Sequence, residues 1–590
     1  MDDILIEDID DEVDIKKDIN KNNMKKNKKK KVKKLNIYLF IISLVMVLMI
    51  LLNTYLIIKY DVLPLKYLII YLLLVVIIPF LIIFLIIKKK KGYALKVFLS
   101  IIEIIYIVIL GFAFYYLNHT FNFLDDFTSN NTYQIKNFYV VTLKSSEFND
   151  IKDLDTESVG YVVQLNSSIL DANKKLDEVI DLEFKEYKDY SILFEDLMNE
   201  KIQGVVIPDS HFDSLTESDE ELESKVKIIY KFALKEKLES FKKDVNILKE
   251  TFNIYISGID SYGDVNSLTR SDVNILVSIN PKTHQILMIN IPRDYYVTLH
   301  EIGQKDKLTH AGIYGTEMSV KSIEDLLDIE INYYFKVNYG ALVKLVDALG
   351  GVDVYSKYSF TSVGTDKNYY YKKGLNHVNG EKALYFVRTR EAFQDGDRVR
   401  GENQQAMIQA IIKKACSGAI LTKYSDILES LKGTFATNIS TDKITDLIKM
   451  QLDKMPSWNI TSMSLNGSDG SEYTYSYPNQ KLYVMIPKEE TILNVKDALK
   501  SVKNGKLLDN SYLDVDEATN VNEVNEIISE KPKEESKQEE PKDTSDATTE
   551  ENENKEISDN NIEINNQEEN ENKEISDNNI EINNQEKNDN

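Results

Sequence analysis

Several kinds of residue are scarce in this 590-residue chain, and each scarcity excludes something. A single cysteine, Cys416, leaves no intrachain disulfide, no four-cysteine zinc site and no cysteine-ligated iron–sulfur cluster. The sequence holds no G-x-S-x-G, H-E-x-x-H or G-x-x-x-x-G-K-[ST], so the usual signatures of serine hydrolases, zincins and P-loop enzymes are missing. Positive charge is short overall: 71 Lys+Arg stand against 95 Asp+Glu, a net charge of −24. A protein that binds nucleic acid generally must meet phosphate with net positive surface, so that class of partner is excluded. Arginine is the scarcest charged residue, with six copies beside 65 lysines.

What is present is strongly segregated. Residues 1–34 form a charged N-terminal segment expected in the cytoplasm, with nine acids in 1–18 and nine lysines in 21–34. Three apolar stretches follow within 35–117, at about 35–58, 65–87 and 95–117. Each approaches the ~20 residues a helix needs to cross a bilayer. Lysines at 25–34 and 88–91 lie on one side of the spans, which predicts a cytoplasmic N-terminus in a multi-pass cell-membrane protein. Everything after 117 is then extracytoplasmic. Glu103 reads either as an interfacial partner of Lys96 or as a functional intramembrane acid, and Pro79 as a kink. The three spans serve as an anchor in the lipid bilayer.

Beyond the spans, 118–132 reads as a polar linker. Residues 133–250 read as a small α/β accessory domain with strands at 137–143, 159–163 and 203–207. Helix is expected over 168–200, and a charged helical connector over 215–250. Its phrases weakly resemble one lobe of a periplasmic-binding-protein-like domain. Residues 251–503 read as a mixed-sheet α/β domain with its core at 252–415. Strands are expected at 252–256, 273–279, 285–291 and 352–355, and helices at 318–328, 340–349, 379–388 and 402–416. Residues 514–590 hold 26 acids and seven lysines and repeat ENENKEISDNNIEINNQE in tandem. That composition predicts a disordered acidic tail.

All six arginines, Arg270, Arg293, Arg388, Arg390, Arg398 and Arg400, fall between positions 270 and 400. Lysine serves solubility everywhere else. Arginine adds a planar fork of donors that grips phosphate or carboxylate bidentately, so its confinement points to anion recognition. Asp260 follows one strand and Asp272 opens the next, which predicts two carboxylates at one sheet end. Strand-end carboxylates facing arginines suit a hard divalent cation completed by substrate phosphate. Mg2+ (or Mn2+) with a pyrophosphate is the expected occupant.

These residues sit in phrases that resemble the LytR–CpsA–Psr family of cell-wall glycopolymer ligases: GID (258–260), RSDVNILVSINPKT (270–283), IPRDYYV (291–297) and KLTHAGIYG (307–315). The series continues with NYYFKVNYGALVKLVDALGGVDV (332–354), LNHVNGEKALYFVRTRE (375–391) and GDRVRGENQQ (396–405). The resemblance implies a phosphotransferase that moves a glycopolymer from a polyprenyl-pyrophosphate carrier to a cell-wall acceptor such as peptidoglycan. It implies metal-associated Asp260 and Asp272, and phosphate-facing Arg270, Arg293, Arg388, Arg390 and Arg400. Asp397 and Gln404 match polar residues of the last motif, while Asp294, Lys307 and His310 lie in matching phrases. Asn403 stands where many members have another arginine, and Arg398 matches no assigned position. Asp294 reads either as the base for the acceptor hydroxyl or as a structural partner of Arg293. The same cluster would also serve a pyrophosphatase acting on the lipid-linked glycan, or a non-enzymatic regulator that binds such precursors.

Overall fold

The computed structural model describes residues 24, 26, 36–87, 93–129, 133–164, 168–237, 243–259, 264–363, 367–416 and 433–508. Most of the charged N-terminus, Asp260 and the acidic tail lie outside the described residues.

Three helices are long and apolar enough to cross a membrane: α1 (Asn36–Tyr60), α2 (Leu65–Ile87) and α3 (Tyr93–Ser129). Pro79 cannot donate a backbone hydrogen bond, and α2 widens into a π-helical segment over Leu72–Ile77 just ahead of it. Polar side chains join the helices. Ser43 Oγ donates to Glu103 Oε1 at 2.7 Å, Asn53 Nδ2 to the Leu110 carbonyl at 3.0 Å, and Tyr106 OH to the Leu74 carbonyl at 3.1 Å. Glu103 is therefore buried between helices, which corrects the interfacial reading beside Lys96. The linker expected at 118–132 is corrected as well. Through Ser129 it continues α3, a helix of 37 residues.

The accessory domain is a five-stranded sheet: β1 (Tyr133–Leu143), β2 (Ser158–Val162), β3 (Glu183–Tyr187), β4 (Gly204–Pro208) and β5 (Val226–Lys237), in the order β3-β2-β4-β1-β5. Helices α4 (Ile169–Asp177), α5 (Tyr190–Met198), α6 (Asp209–Ser218) and α7 (Glu220–Lys225) accompany it. Two expectations fail here. Region 168–200 is two helices separated by β3, and the helical connector of 215–250 contains β5. β5 pairs antiparallel with β1 along eleven residues, with a bulge at Val140/Val141.

The next domain is built on a six-stranded mixed sheet. Its strands are β6 (Phe252–Ile259), β7 (Val273–Asn280), β8 (Gln285–Asn290), β11 (Tyr333–Asn338), β16 (Phe435–Thr437) and β17 (Asn459–Ser464), ordered β16-β11-β6-β7-β8-β17. β6, β7 and β8 form an antiparallel meander. Asn280 Oδ1 accepts from the amides of Lys282 and Thr283 and so closes the β7–β8 turn. β11 runs parallel to β6, and β17 parallel to β8.

β9 (Tyr296–Thr298) pairs with β10 (Lys305–Lys307) beside this sheet. A smaller layer holds β12 (Val352–Ser356) against β15 (Gly374–Val378), and β13 (Phe360–Thr361) against β14 (Tyr370–Tyr371). β18 (Gly467–Tyr473) and β19 (Lys481–Pro487) form a hairpin. The longer helices are α8 (Thr316–Leu327), α9 (Tyr339–Ala348), α10 (Gly380–Arg388), α11 (Gly396–Ala415), α12 (Thr441–Lys454) and α13 (Glu489–Lys503), with a single helical turn at Leu308–Ala311.

Side chains alternate across the sheet and build two apolar layers. Tyr255, Leu276, Leu287 and Ile289 pack on one face with α8 and α13. Val273, Ile275, Val277, Ile286 and Met288 pack on the other, with Ile408 and Ile412 of α11 and with Trp458.

Candidate functional site

The end of the sheet where β6 and β8 finish and β7 begins collects the charged residues singled out in the sequence. The amide of Asp272 donates to the carbonyl of Gly258 at 2.8 Å, and the amide of Ser271 to the carbonyl of Thr309 at 3.1 Å. Gly312 packs so closely on this segment that a Cβ there would lie 2.7 Å from the carbonyl oxygen of Thr269. Arg270 is thus fixed in a strand lead-in clamped by the 308–315 turn.

Arg293, just past β8, is the hub. Its Nη1 donates to Asp272 Oδ1 at 2.8 Å. Its Nε lies 3.4 Å from Asp294 Oδ2 and 3.7 Å from Asp397 Oδ2. Asp294 also binds Lys307 Nζ at 2.9 Å, and Asp397 approaches Arg400 Nη2 at 3.3 Å. The result is a continuous chain Lys307–Asp294–Arg293–Asp397–Arg400, with Asp272 as a branch. It alternates in sign and holds three cations and three anions. Burial opposes charge on Arg293, but Asp272 and Asp294, with Asp397, hold its pKa above the ordinary guanidinium value. Burial likewise pushes the Asp294 carboxyl up, and Lys307 and Arg293 overcome it, so the carboxyl stays below the usual range.

α11 delivers Asp397 and Arg400 because its first turn crosses the end of β8. Gly401 faces Asn290 of β8 with no room for a Cβ, which would lie 2.2 Å from Asn290 Nδ2. Gln404 donates to the Val387 carbonyl at 3.4 Å and Asn403 to the Phe386 carbonyl at 3.2 Å, tying α11 to the end of α10. Arg388, the last residue of α10, lies over the Tyr339 ring at 5.1 Å. Asn403 thus holds backbone in this chain.

Other residues stand apart from the ion-pair chain. Arg390 pairs with its neighbour Glu391 at 2.9 Å on an open surface, and Arg398 approaches Asp395 at 3.8 Å. His310 is buried and binds Asp306 through Nδ1 at 2.6 Å. Asp306 is fully buried; its Oδ2 accepts from the amide and hydroxyl of Ser476 at 2.8 and 2.6 Å. Burial pushes the Asp306 carboxyl up, but His310 and Ser476 hold it below the ordinary value. The sequence contained one signal for Asp306, its i,i+4 spacing from His310. It contained none for Ser476, 170 positions away.

Among the described residues, no group of three or more His, Cys, Asp or Glu is arranged to hold a metal ion, and Asp260 lies outside them. Asp272 offers one carboxylate of the hard-oxygen kind such a cation takes, its Oδ1 already accepting from Arg293 Nη1.

The profile described as the LytR_cpsA_psr family matches residues 216–501. A profile described as DNA polymerase processivity factor matches 88–207, a stretch that stops before β5 and so cuts the five-stranded sheet. The chain is 37% identical over 205 residues to the "Polyisoprenyl-teichoic acid--peptidoglycan teichoic acid transferase TagU" of Bacillus cereus (strain AH820), which covers 35% of this chain and 66% of that protein. It is 32% identical over 255 residues to the protein of that name from Halalkalibacterium halodurans, covering 43% of this chain and 79% of the relative. A crystal structure of B. subtilis TagU aligns with a TM-score of 0.35 at 29% identity, over 44% of this chain and all of that one.

Proposed function

Because the chain belongs to the LytR–CpsA–Psr family, we propose that it is a membrane-anchored, extracytoplasmic phosphotransferase. It moves a glycopolymer from a polyprenyl-pyrophosphate carrier to a cell-wall acceptor of the peptidoglycan kind. The relatives named as teichoic acid transferases support a teichoic-acid-like, anionic substrate. The observation that carries the reading is the hub at Arg293, which gathers Asp272, Asp294 and Asp397 with Lys307 and Arg400 at one sheet end.

Phosphoryl transfer asks a protein mainly for positioning and for charge stabilisation. Arg293, Arg400 and Lys307 supply fixed positive charge where the pyrophosphate would lie, and Arg270 and Arg388 flank them. Gln404 braces α11 beneath. Arg390, open at the rim, would meet the glycan side of the substrate. The acceptor hydroxyl attacks the glycan-proximal phosphorus, a new P–O bond forms, and the bond to the lipid phosphate breaks. The hydroxyl proton leaves with solvent or the departing phosphate. Asp294 is a poor base, because two cations hold its carboxylate deprotonated. Its part is to position Arg293 and Lys307. Asp272 together with Asp260 would hold Mg2+ or Mn2+, which when bound neutralises charge on the pyrophosphate.

The test uses the full chain in lipid vesicles with a lipid-pyrophosphate-linked glycan, Mg2+ and peptidoglycan, following the glycan. Glycan bound to peptidoglycan supports the proposal. Free glycan phosphate in equal amount with and without acceptor would make it a pyrophosphatase, and binding without turnover would make it a receptor. A chelator should stop transfer, and full transfer in its presence would overturn the aspartate–metal assignment.

A further inference from the structure

The arginine site occupies one end of the six-stranded sheet, and the opposite end carries a contact that transfer chemistry does not require. α12 crosses beneath the sheet there. Its start is fixed near the beginning of β6, where Ile439 packs with Ile247 and Phe252 and Lys443 Nζ donates to the Val245 carbonyl at 2.8 Å. Its end lies near the beginning of β8 and β17, where Gln451 Oε1 accepts from Trp458 Nε1 at 3.0 Å and Trp458 meets the His284 ring. β6, β8 and β17 all run from this end towards the arginine site.

α12 also meets the membrane helices. Ile444, which packs on the sheet-side cluster of Ile247, Phe252 and Ile439, also packs into an apolar cluster of Tyr60, at the end of α1, and Val62, with Leu117, Phe121 and Leu124 of α3. Tyr60 stacks on Phe121 with centroids 3.7 Å apart, and Thr441 Oγ1 donates to the Leu124 carbonyl at 3.2 Å. Lys449 Nζ reaches Asp61 Oδ2 at 2.6 Å, and Lys66 binds the Asp453 carbonyl. Exposed ion pairs contribute little by themselves. The apolar cluster carries the contact, and the ion pairs select its register.

We propose that α12 is a docking helix that seats the catalytic domain on its own membrane helices, sheet upright, with the arginine site at the far end of the strands. β8 has six residues, so at ~3.3 Å per residue the site stands about 20 Å above the docked end. The carrier pyrophosphate must then be lifted from the bilayer surface to be used. Docking places residues and does not rest on transfer, so it fails or holds independently of the proposed activity.

The experiment uses the full chain in membrane vesicles with Cys416→Ser, so that introduced cysteines are the only thiols. The pair Asp61→Cys/Lys449→Cys should be joined within one chain by a short bis-maleimide. The pair Asp61→Cys/Gln394→Cys, whose second site is an exposed residue near the arginine end, should not. Equal yields for the two pairs, or no product from the first, would overturn the docking. Orientation is read separately with spin labels on Lys454→Cys and Gln394→Cys and a nickel-chelating lipid. The label at 454 should be relaxed several-fold more strongly than that at 394. Equal relaxation, or the reverse order, would overturn the upright pose.

Discussion

Arg293 meets three carboxylates, and a planar guanidinium fork is extended enough to face them from separate edges. A lysine ammonium has three donors but gathers them on one point charge, and it cannot reach Asp272 through one edge and Asp294 and Asp397 through another as Nη1 and Nε do. We expect Arg293→Lys to lower the transfer rate by roughly 10²-fold or more, as when a preorganised transition-state donor is lost. Thermal melting should show the variant folded. A rate within twofold of wild type would show that charge alone suffices. Asp209, at the start of α6, makes a pH prediction. Burial pushes its carboxyl up to about 7, opposed by the hydrogen bond from Asn137 and aided by Asp213. Below pH about 3 the group is protonated in folded and unfolded chains alike. As pH rises towards 7 only the unfolded chain ionises, so the stability this group contributes is progressively lost. Asp209→Asn should therefore gain on wild type over that window by on the order of 2–4 kcal/mol. Parallel melting curves from pH 4 to 8 would refute it. At this scale the sequence was legible wherever composition was anomalous: six arginines in a lysine-rich chain marked Arg293 and Arg400. Asp306 and Ser476 are ordinary residues far apart in the chain, and only folding makes them neighbours.

α11 shows how one element converts packing into chemistry. Its first turn carries Asp397 and Arg400, and its approach to β8 depends on Gly401 having no side chain. Gly401→Ala would force the Asn290 amide or the helix to move. Overpacking of that kind costs about 1–3 kcal/mol, and we expect transfer to fall by about tenfold or more at temperatures where the variant remains folded, because Arg400 shifts with the helix. Unchanged transfer would mean that Asn290 yields instead. Elements buried on both faces, such as β7 and β8, were readable from their period-2 or near-continuous apolar runs. β5 was misread as helix because it is an edge strand, where lysines on the open side break the apolar pattern. The outer part of α3 was misread as linker for a related reason. Its polar sequence hides Phe121, Phe123 and Leu124, which bury against Tyr60 and Ile444 and so hold the helix beyond the apolar span.

Over the whole molecule, the accessory and catalytic domains are sewn together. The Ile135 amide donates to the Asn266 carbonyl at 3.0 Å, and the Leu268 amide donates to the Ile135 carbonyl at 2.9 Å. His211 of α6 is buried beside Tyr190 and Tyr314 of the two domains. Asn137 of β1 donates to the Ser267 hydroxyl at 3.5 Å across the junction, and on the catalytic side Lys336 of β11 donates to the Ser267 carbonyl at 2.6 Å, burial bringing its pKa down to about 8. Contacts of this depth predict that the two domains melt as one. Calorimetry of the full chain in detergent should show a single transition for them, coincident with loss of tyrosine near-ultraviolet dichroism. Two separated transitions would show the domains to be independent. None of this junction could be read from the sequence, because it joins residues whose partners are named only by the fold.

The third of the apolar helices has a consequence for how far the enzyme can search. At ~1.5 Å per residue, the 37 residues of α3 span about 55 Å, well beyond ~30 Å of hydrocarbon. With its apolar part in the bilayer, the remainder is a stiff post braced on α12 through the Thr441–Leu124 hydrogen bond. A domain on a flexible leash samples a hemisphere of acceptors, and one on a post sweeps a plane. The enzyme would find acceptors by lateral diffusion of its anchor, at one fixed height, and strands of wall lying above that plane would pass unmodified.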